Sequence, residues 1–283
     1  MSIFPTKILL ATDGSQDAEL AATTAVDLAK TTGSELHVVT VFPGPAYVLT
    51  YYETNFPEAA QRLRREARKE RQQILDERVE RIREAAGSVA QAHIREGETA
   101  AEIVSLAEEL EVGLIAIGSR GLGGLRRALM GNVADSVVRH AHCPVMVVRA
   151  EAVLFPTKLL VATDRSREAQ LGATTAADLA KSTNSELHVV HVGFEQLRDE
   201  AKEELDTEVG IIRESGAQDI QAHLNFGMPA RSIVELAEEL GAGLIVMGSR
   251  GLGGVRRALM GSISDSVVRH AHCPVLVVRQ EEE

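Results

Sequence analysis

Apolar residues along this chain fall into two alternating periods. Short runs rich in Val, Ile and Leu, bounded by turn residues, cover Lys7–Thr12, Glu35–Phe42, Val89–Arg95, Leu114–Gly118 and Val145–Arg149. Continuous apolarity over so few residues predicts strands buried on both faces. Between them the spacing changes to that of a helix. Ile103, Leu106, Ala107 and Leu110 fall at i, i+3, i+4 and i+7, and Ile233, Leu236, Ala237 and Leu240 repeat the spacing. Residues 58–86 predict a long charged helix with a buried stripe of Leu75, Val79, Ile82 and Ala86. Its arginines (62, 64, 65, 68, 71, 78, 81 and 83) are interleaved with Glu66, Glu70, Asp76, Glu77, Glu80 and Glu84, which predicts a solvated face laced with ion pairs rather than a nucleic-acid surface. Strand–helix alternation of this kind implies a parallel sheet covered on both faces. Right-handed crossovers put the C-terminal ends of the strands, with their loops, on one edge.

The whole pattern occurs twice. "FPTKILLATDGS" at 4–15 returns as "FPTKLLVATDRS" at 155–166, and "SELHVVTV" at 34–41 as "SELHVVHV" at 185–192, both at an offset of 151. By "QAHIREG" at 91–97 and "QAHLNFG" at 221–227 the offset is 130, so the first copy carries 21 extra residues between Phe42 and Ala90. Repeats of this size are domains, not solenoid units. The expected division is 1–150 and 151–283, with 150–156 a direct connection. The extra stretch "PGPAYVLTYYETNFPE" holds Tyr47, Tyr51 and Tyr52. A flap over a ligand, an arm gripping another subunit and a loop packed on its own domain are all compatible with it.

Composition narrows the class. The chain is 45% hydrophobic and 25% charged with a net charge of −11, which disfavours general nucleic-acid binding. No apolar run reaches the roughly 18 residues of a membrane helix, and the N-terminal residues lack a signal-peptide pattern, so the expectation is a cytoplasmic chain without membrane partners. Cys143 and Cys273 occupy equivalent places and read as small buried hydrophobes. "RHAHCP" at 139–144 and 269–274 looks like a metal cluster, but nothing within the motif completes a tetrahedral set, and a structural role is expected for His140, His142 and Cys143. His37 and His188 read as ordinary strand residues.

The chemistry is expected in a glycine-punctuated loop. Gly118, Gly121 and Gly131 follow the fourth strand and open the helix "NVADSVVRHA", with Asn132 as its N-cap; Gly248, Gly251 and Gly261 repeat them with Ser262. Glycines admit an anion close to the backbone, and a helix start offers N–H groups and the positive dipole end. The loop is neither a Walker P-loop nor GxGxxG, and a ligand-free connection accounts for the glycine spacing equally well. Asp13 and Asp164, ending the first strand of each copy, favour a ligand, because a carboxylate there accepts hydrogen bonds from ribose hydroxyls. A helix N-cap or first-turn acid is the alternative role for Asp13.

These residues resemble the universal stress proteins, tandem type. Their ATP-binding members carry G-x2-G-x9-G-[S/T], matched in full by Gly248–Gly251–Gly261–Ser262 and up to the last position by Gly118–Gly121–Gly131–Asn132. The resemblance covers almost the whole chain twice. It implies two Rossmann-like α/β domains, each with a five-stranded parallel sheet of order 3-2-1-4-5, uniting Asp13 with Gly118 and Asp164 with Gly248. It implies that Val41 and Val192 offer backbone groups to adenine, that Ser119, Arg120, Ser249 and Arg250 line the phosphate loop, and that Gly131–Asn132–Val133 and Gly261–Ser262–Ile263 hold phosphates. ATP, or AMP or ADP, is the implied ligand, with Mg2+ arriving on the nucleotide, and stress response or signalling the implied role. The fifth strands would pair antiparallel as an internal pseudo-dimer, with a homodimer of the tandem chain left open. Arg165 replaces Gly14 beside the second aspartate, either obstructing the site or adding a cation. No nucleophile–base–orienter set is apparent, so at most slow ATP hydrolysis is expected.

Overall fold

The computed structural model describes residues 4–43, 55–84, 88–121, 130–149, 151–214, 216–217, 219–251 and 260–279. The tyrosine-bearing stretch around Tyr47, Tyr51 and Tyr52 lies outside them, as does Ala86. The first copy runs β1 (Lys7–Ala11), α1 (Gln16–Thr32), β2 (Glu35–Pro43), α2 (Pro57–Glu84), β3 (Gln91–Gly97), α3 (Thr99–Glu109), β4 (Leu114–Gly118), α4 (Asn132–His140) and β5 (Val145–Val148). The second runs β6 (Lys158–Thr163), α5 (Arg167–Thr183), β7 (Glu186–Gly193), α6 (Arg198–Glu214), β8 (Ile220–Phe226), α7 (Pro229–Leu240), β9 (Leu244–Gly248), α8 (Ser262–His270) and β10 (Val275–Val278). Strand β3 starts and ends two residues later than the apolar run predicts, because Ala90 N–H is spent on the Leu36 carbonyl before the ladder with His37 begins.

All ten strands form one sheet in the order β3-β2-β1-β4-β5-β10-β9-β6-β7-β8. Pairing is parallel within each copy and antiparallel where β5 meets β10, with Val147 opposite Val275, Met146 opposite Leu276 and Val145 opposite Val277. This seam removes two exposed edges. It also turns the second copy over, so the two sets of strand C-termini lie on opposite edges of the sheet. Strands β1, β4 and β9 are buried almost throughout, which is what their unbroken apolarity requires.

Each sheet face carries one apolar core that is continuous across both copies. Helices α1, α2, α5 and α6 cover one face through Ala21, Ala25, Leu28, Leu75 and Leu205; α3, α4, α7 and α8 cover the other through Ile103, Leu106, Val137 and Val267. The connection between copies is packed rather than merely short: Val153 is buried, its N–H donates to Thr24 Oγ1 (2.9 Å), and Phe155 N–H donates to Asp27 Oδ2 (2.7 Å). On α2 one arginine departs from the solvated face. Arg78 is 4% exposed and reaches Glu19 of α1, because its position falls on the same helical stripe as Leu75 and Val79.

Two histidine pairs recur, each joining a buried imidazole to a half-buried one. His37 Nδ1 lies 3.3 Å from His93 Nε2, and His188 Nδ1 lies 3.0 Å from His223 Nε2, with the rings stacked. Burial pulls His93, His188 and His223 below their ordinary value of 6.5; in His93 and His223 the neighbouring imidazole adds to it. An imidazole depressed in the folded state is protonated more readily when unfolded. Its contribution to stability is therefore present above pH 6.5 and lost as pH falls below it, at no more than about 1.4 kcal/mol per pH unit for each group. Denaturant midpoints measured from pH 7.5 to 5 are expected to fall, and His93→Gln with His223→Gln to flatten that fall. An unchanged slope in the double variant would exclude His93 and His223 as its source.

Candidate functional site

The two strand-end loops of each copy are locked together by short polar side chains. Leaving β1, Thr12 N–H donates to Val39 O (2.9 Å), Asp13 Oδ1 accepts from Ser15 N–H (2.9 Å), and Gly14 turns left-handed at φ 81°. Ser15, not Asp13, is the N-cap of α1, its Oγ accepting from Ala18 N–H (3.3 Å). That hydroxyl also donates to Arg120 O (3.2 Å), tying the loop after β1 to the loop after β4. Copy two repeats this with Asp164 and Ser166 (3.0 Å) and with Ser166 and Arg250 O (3.4 Å).

Beyond β4 the chain carries a second lock. Ser119 Oγ donates to Asp17 Oδ2 (2.7 Å), and Arg120 reaches the same carboxylate through Nε (3.1 Å) and Nη2 (3.3 Å). In copy two Ser249 Oγ and Arg250 Nε each donate to Glu168 at 2.9 Å. The family resemblance has Ser119, Arg120, Ser249 and Arg250 line the phosphate loop. Their side chains turn onto the first turns of α1 and α5, because a nearly buried carboxylate there needs partners. Asp17 and Glu168 were missed. The signal available was that both copies keep a first-turn acid at this position.

The glycines divide by what surrounds them. A Cβ on Gly118 would sit 2.7 Å from the Asp17 carbonyl carbon and 2.8 Å from Ala18 N; on Gly248 the corresponding gaps are 2.8 and 2.9 Å. These residues let strand and helix backbones touch. At Gly121 a Cβ would sit 2.5 Å from Asp13 Oδ2, and Gly251 abuts Asp164 in the same way. The second glycine and the aspartate therefore share one small space. Gly131 and Gly261 have ordinary extended backbone and are themselves the N-caps of α4 and α8, with no side-chain hydrogen bond at either cap. Asn132 and Ser262, expected as N-caps, are the first helical residues, exposed to solvent, because Gly131 and Gly261 already hold the extended cap conformation. Val133 and Ile263 follow in the first turn. Residues 122–129 and 252–259, between the second and third glycines, lie outside the described residues.

Register places these groups in a row. Ala11 is level with Val39 and Ile117, so Asp13 and Ser119, each just past the end of its strand, lie level with Val41, which is still on β2 and paired with Arg95 of β3. Ala162, level with Val190 and Met247, does the same for Asp164, Val192 and Ser249. Val41 and Val192 are half-buried against the α3 and α7 face. The copies differ beside the aspartate. Arg165 occupies the position of Gly14 at φ 65° and pairs with Glu204 of α6 (2.9 Å), which is also 3.3 Å from His191 Nε2. Arg165 is therefore a cation already engaged.

The HxHC segments are split by the fold. His140 Nδ1 lies 2.7 Å from Ser136 O of its own helix, whereas Cys143 is buried in the core. In copy two, burial pushes the Cys273 thiol up to about 12, far from the thiolate a metal needs. Among the described residues no three His, Cys, Asp or Glu side chains are placed to hold a metal ion, and no helix is long and apolar enough to cross a membrane.

A sequence model of the universal stress protein family matches the chain twice, over residues 5–149 and 156–279. A universal stress protein of Mycobacterium tuberculosis is 28% identical over 96% of this chain and 97% of its own. The crystal structure of a universal stress protein from Archaeoglobus fulgidus superposes with a TM-score of 0.73 at 28% identity, covering 96% of this chain and 98% of that one. A functionally unknown protein from Pseudomonas aeruginosa shares the fold, at a TM-score of 0.68 and 22% identity, over 98% of this chain and 93% of that one.

Proposed function

We propose that this chain, which belongs to the universal stress protein family, binds ATP or a related adenine nucleotide at two sites, one per copy, and serves stress response or signalling in the cytoplasm as a nucleotide-responsive binding protein. The copies at 1–150 and 151–283 act as the two binding domains. Asp13 and Asp164 accept the ribose hydroxyls, and the backbones of Val41 and Val192 meet the adenine. The starts of α4 and α8, at Gly131–Asn132–Val133 and Gly261–Ser262–Ile263, take the phosphates. Gly121 and Gly251 leave room for the Asp13 and Asp164 carboxylates that meet the ribose, while Gly118 and Gly248, with the Ser119–Arg120 and Ser249–Arg250 locks, hold the loop at its height. Mg2+ brought by the nucleotide is held by phosphate oxygens and water.

The observation that carries this reading is the pairing, in both copies, of a strand-end aspartate with a helix start whose cap is a glycine without a side chain to satisfy it. Such a start leaves N–H groups and a positive dipole end for an anion. A nucleotide that binds only the folded chain contributes roughly 2.7 kcal/mol per site at 100 times its dissociation constant. Millimolar ATP or AMP is therefore expected to raise the melting temperature. A melting curve unmoved by either, with or without Mg2+, would make the chain a nucleotide-free scaffold.

A further inference from the structure

The antiparallel seam sets the end of each copy's last strand beside the last turn of the other copy's final helix. Arg149 follows β5, and its Nη1 donates to the Val268 carbonyl of α8 (3.4 Å). Arg279 follows β10, and its Nη1 donates to the Arg139 carbonyl of α4. Both acceptors belong to the last turn of a helix, where carbonyls have no intrahelical donor. A guanidinium there also complements the negative dipole end. Arg139 pairs with Asp135 and Arg269 with Asp265, each at 2.8 Å, and these own-helix carboxylates raise the pKa of each arginine.

We propose that Arg149 and Arg279 are positioning residues that act across the seam, Arg149 finishing the helix that opens site two and Arg279 the helix that opens site one. The inference rests on the nucleotide reading above. It adds that neither copy supplies a complete site by itself. Helix α8 spans nine residues, about 13 Å, so a cap at its C-terminus lies one short rigid rod from the N–H groups at Gly261. Arg149 is coupled to its own copy too. Burial lowers its pKa, with Arg120 repelling and Asp17 attracting its charge, and Val148, one residue before it, accepts the Ser119 N–H (2.8 Å) at the start of the loop of site one. Arg149 thus follows the residue that holds the loop of site one and donates to the helix of site two, a contiguous physical link between them.

The test separates own-copy from cross-copy effects. In a chain carrying Gly131→Asp, which leaves site two alone, Arg149→Gln is expected to weaken ATP binding about five-fold or more by calorimetry, and Arg149→Lys to restore most of it. In a chain carrying Gly261→Asp, which leaves site one alone, Arg149→Gln is expected to cost less. A loss confined to site one, or equal at both, would overturn the assignment. Hydrogen exchange on the nucleotide-free chain reads the cap separately: Arg149→Gln is expected to speed exchange in 262–270 more than in 132–140, and Arg279→Gln the reverse. Unchanged exchange removes the cross-copy cap. A wild-type chain that binds no ATP removes the nucleotide reading instead.

Discussion

Gly261→Asp is expected to strengthen the helix it caps and to abolish nucleotide binding at site two. Gly261 has φ −62° and ψ 148°, a conformation open to any residue, and an added Cβ would find its nearest neighbours, Arg250 Cα and Ser249 O, at 3.4 Å and Gly251 N at 3.8 Å, ordinary van der Waals contact. Aspartate therefore fits. As an N-cap it accepts an N–H of the first turn and complements the dipole, which contributes a few tenths to about 1 kcal/mol over glycine. The same carboxylate occupies the place proposed for phosphate, with the same sign of charge. Stability and affinity thus move in opposite directions, which a misfolded variant cannot mimic. Calorimetry should find two nucleotides per chain in the wild type, one in Gly261→Asp and none when Gly131→Asp is added. At Gly131 the Cβ would lie 3.2 Å from Ser119 O, so the stability gain should be smaller there. An unchanged stoichiometry in Gly261→Asp would show that the phosphates lie elsewhere.

Gly118→Ala is expected to destabilise the fold by about 2 kcal/mol, within the usual range for overpacking. The added methyl would enter between β4 and the first turn of α1, 2.7 Å from one backbone atom and 2.8 Å from another. Neither is the flexible end of a side chain, so the helix must back away from the sheet. That movement also stretches the Ser119–Asp17 and Arg120–Asp17 bonds. Gly248→Ala should behave alike at the Glu168–Ala169 turn. Gly251→Ala meets only the Asp164 carboxylate, which can swing aside, so its cost should fall on binding more than on stability. Urea midpoints decide between these. Gly118→Ala within about 0.5 kcal/mol of wild type would mean that the close approach is not required.

How far the site was legible follows from the range of each interaction. The aspartates, the three glycines of each loop and the helix that follows them are local signals, because turn geometry and strand ends leave marks within a few residues. The cap was misread by one residue for a related reason. Asn and Ser are the better N-caps by propensity, yet Gly131 and Gly261 hold the cap conformation because the chain reaches the helix through a hydrogen bond from their N–H to the Ser119 and Ser249 carbonyls (2.8 Å). Arg78 looked like its neighbours on α2 because helical charge patterning says nothing of which arginine meets Glu19.

Periodicity and the internal repeat were enough by themselves to determine two parallel α/β copies, their approximate elements and the edge on which their loops gather. These follow from burial, which needs only the alternation of apolar and polar positions. Tertiary structure alone decided which carboxylate restrains the loop, that Arg165 is paired with Glu204, and that Arg149 and Arg279 reach the opposite copy. Those contacts join residues 39 to 140 positions apart, and their partners are chosen by how strands stack and how the seam closes, which no local pattern of side chains encodes.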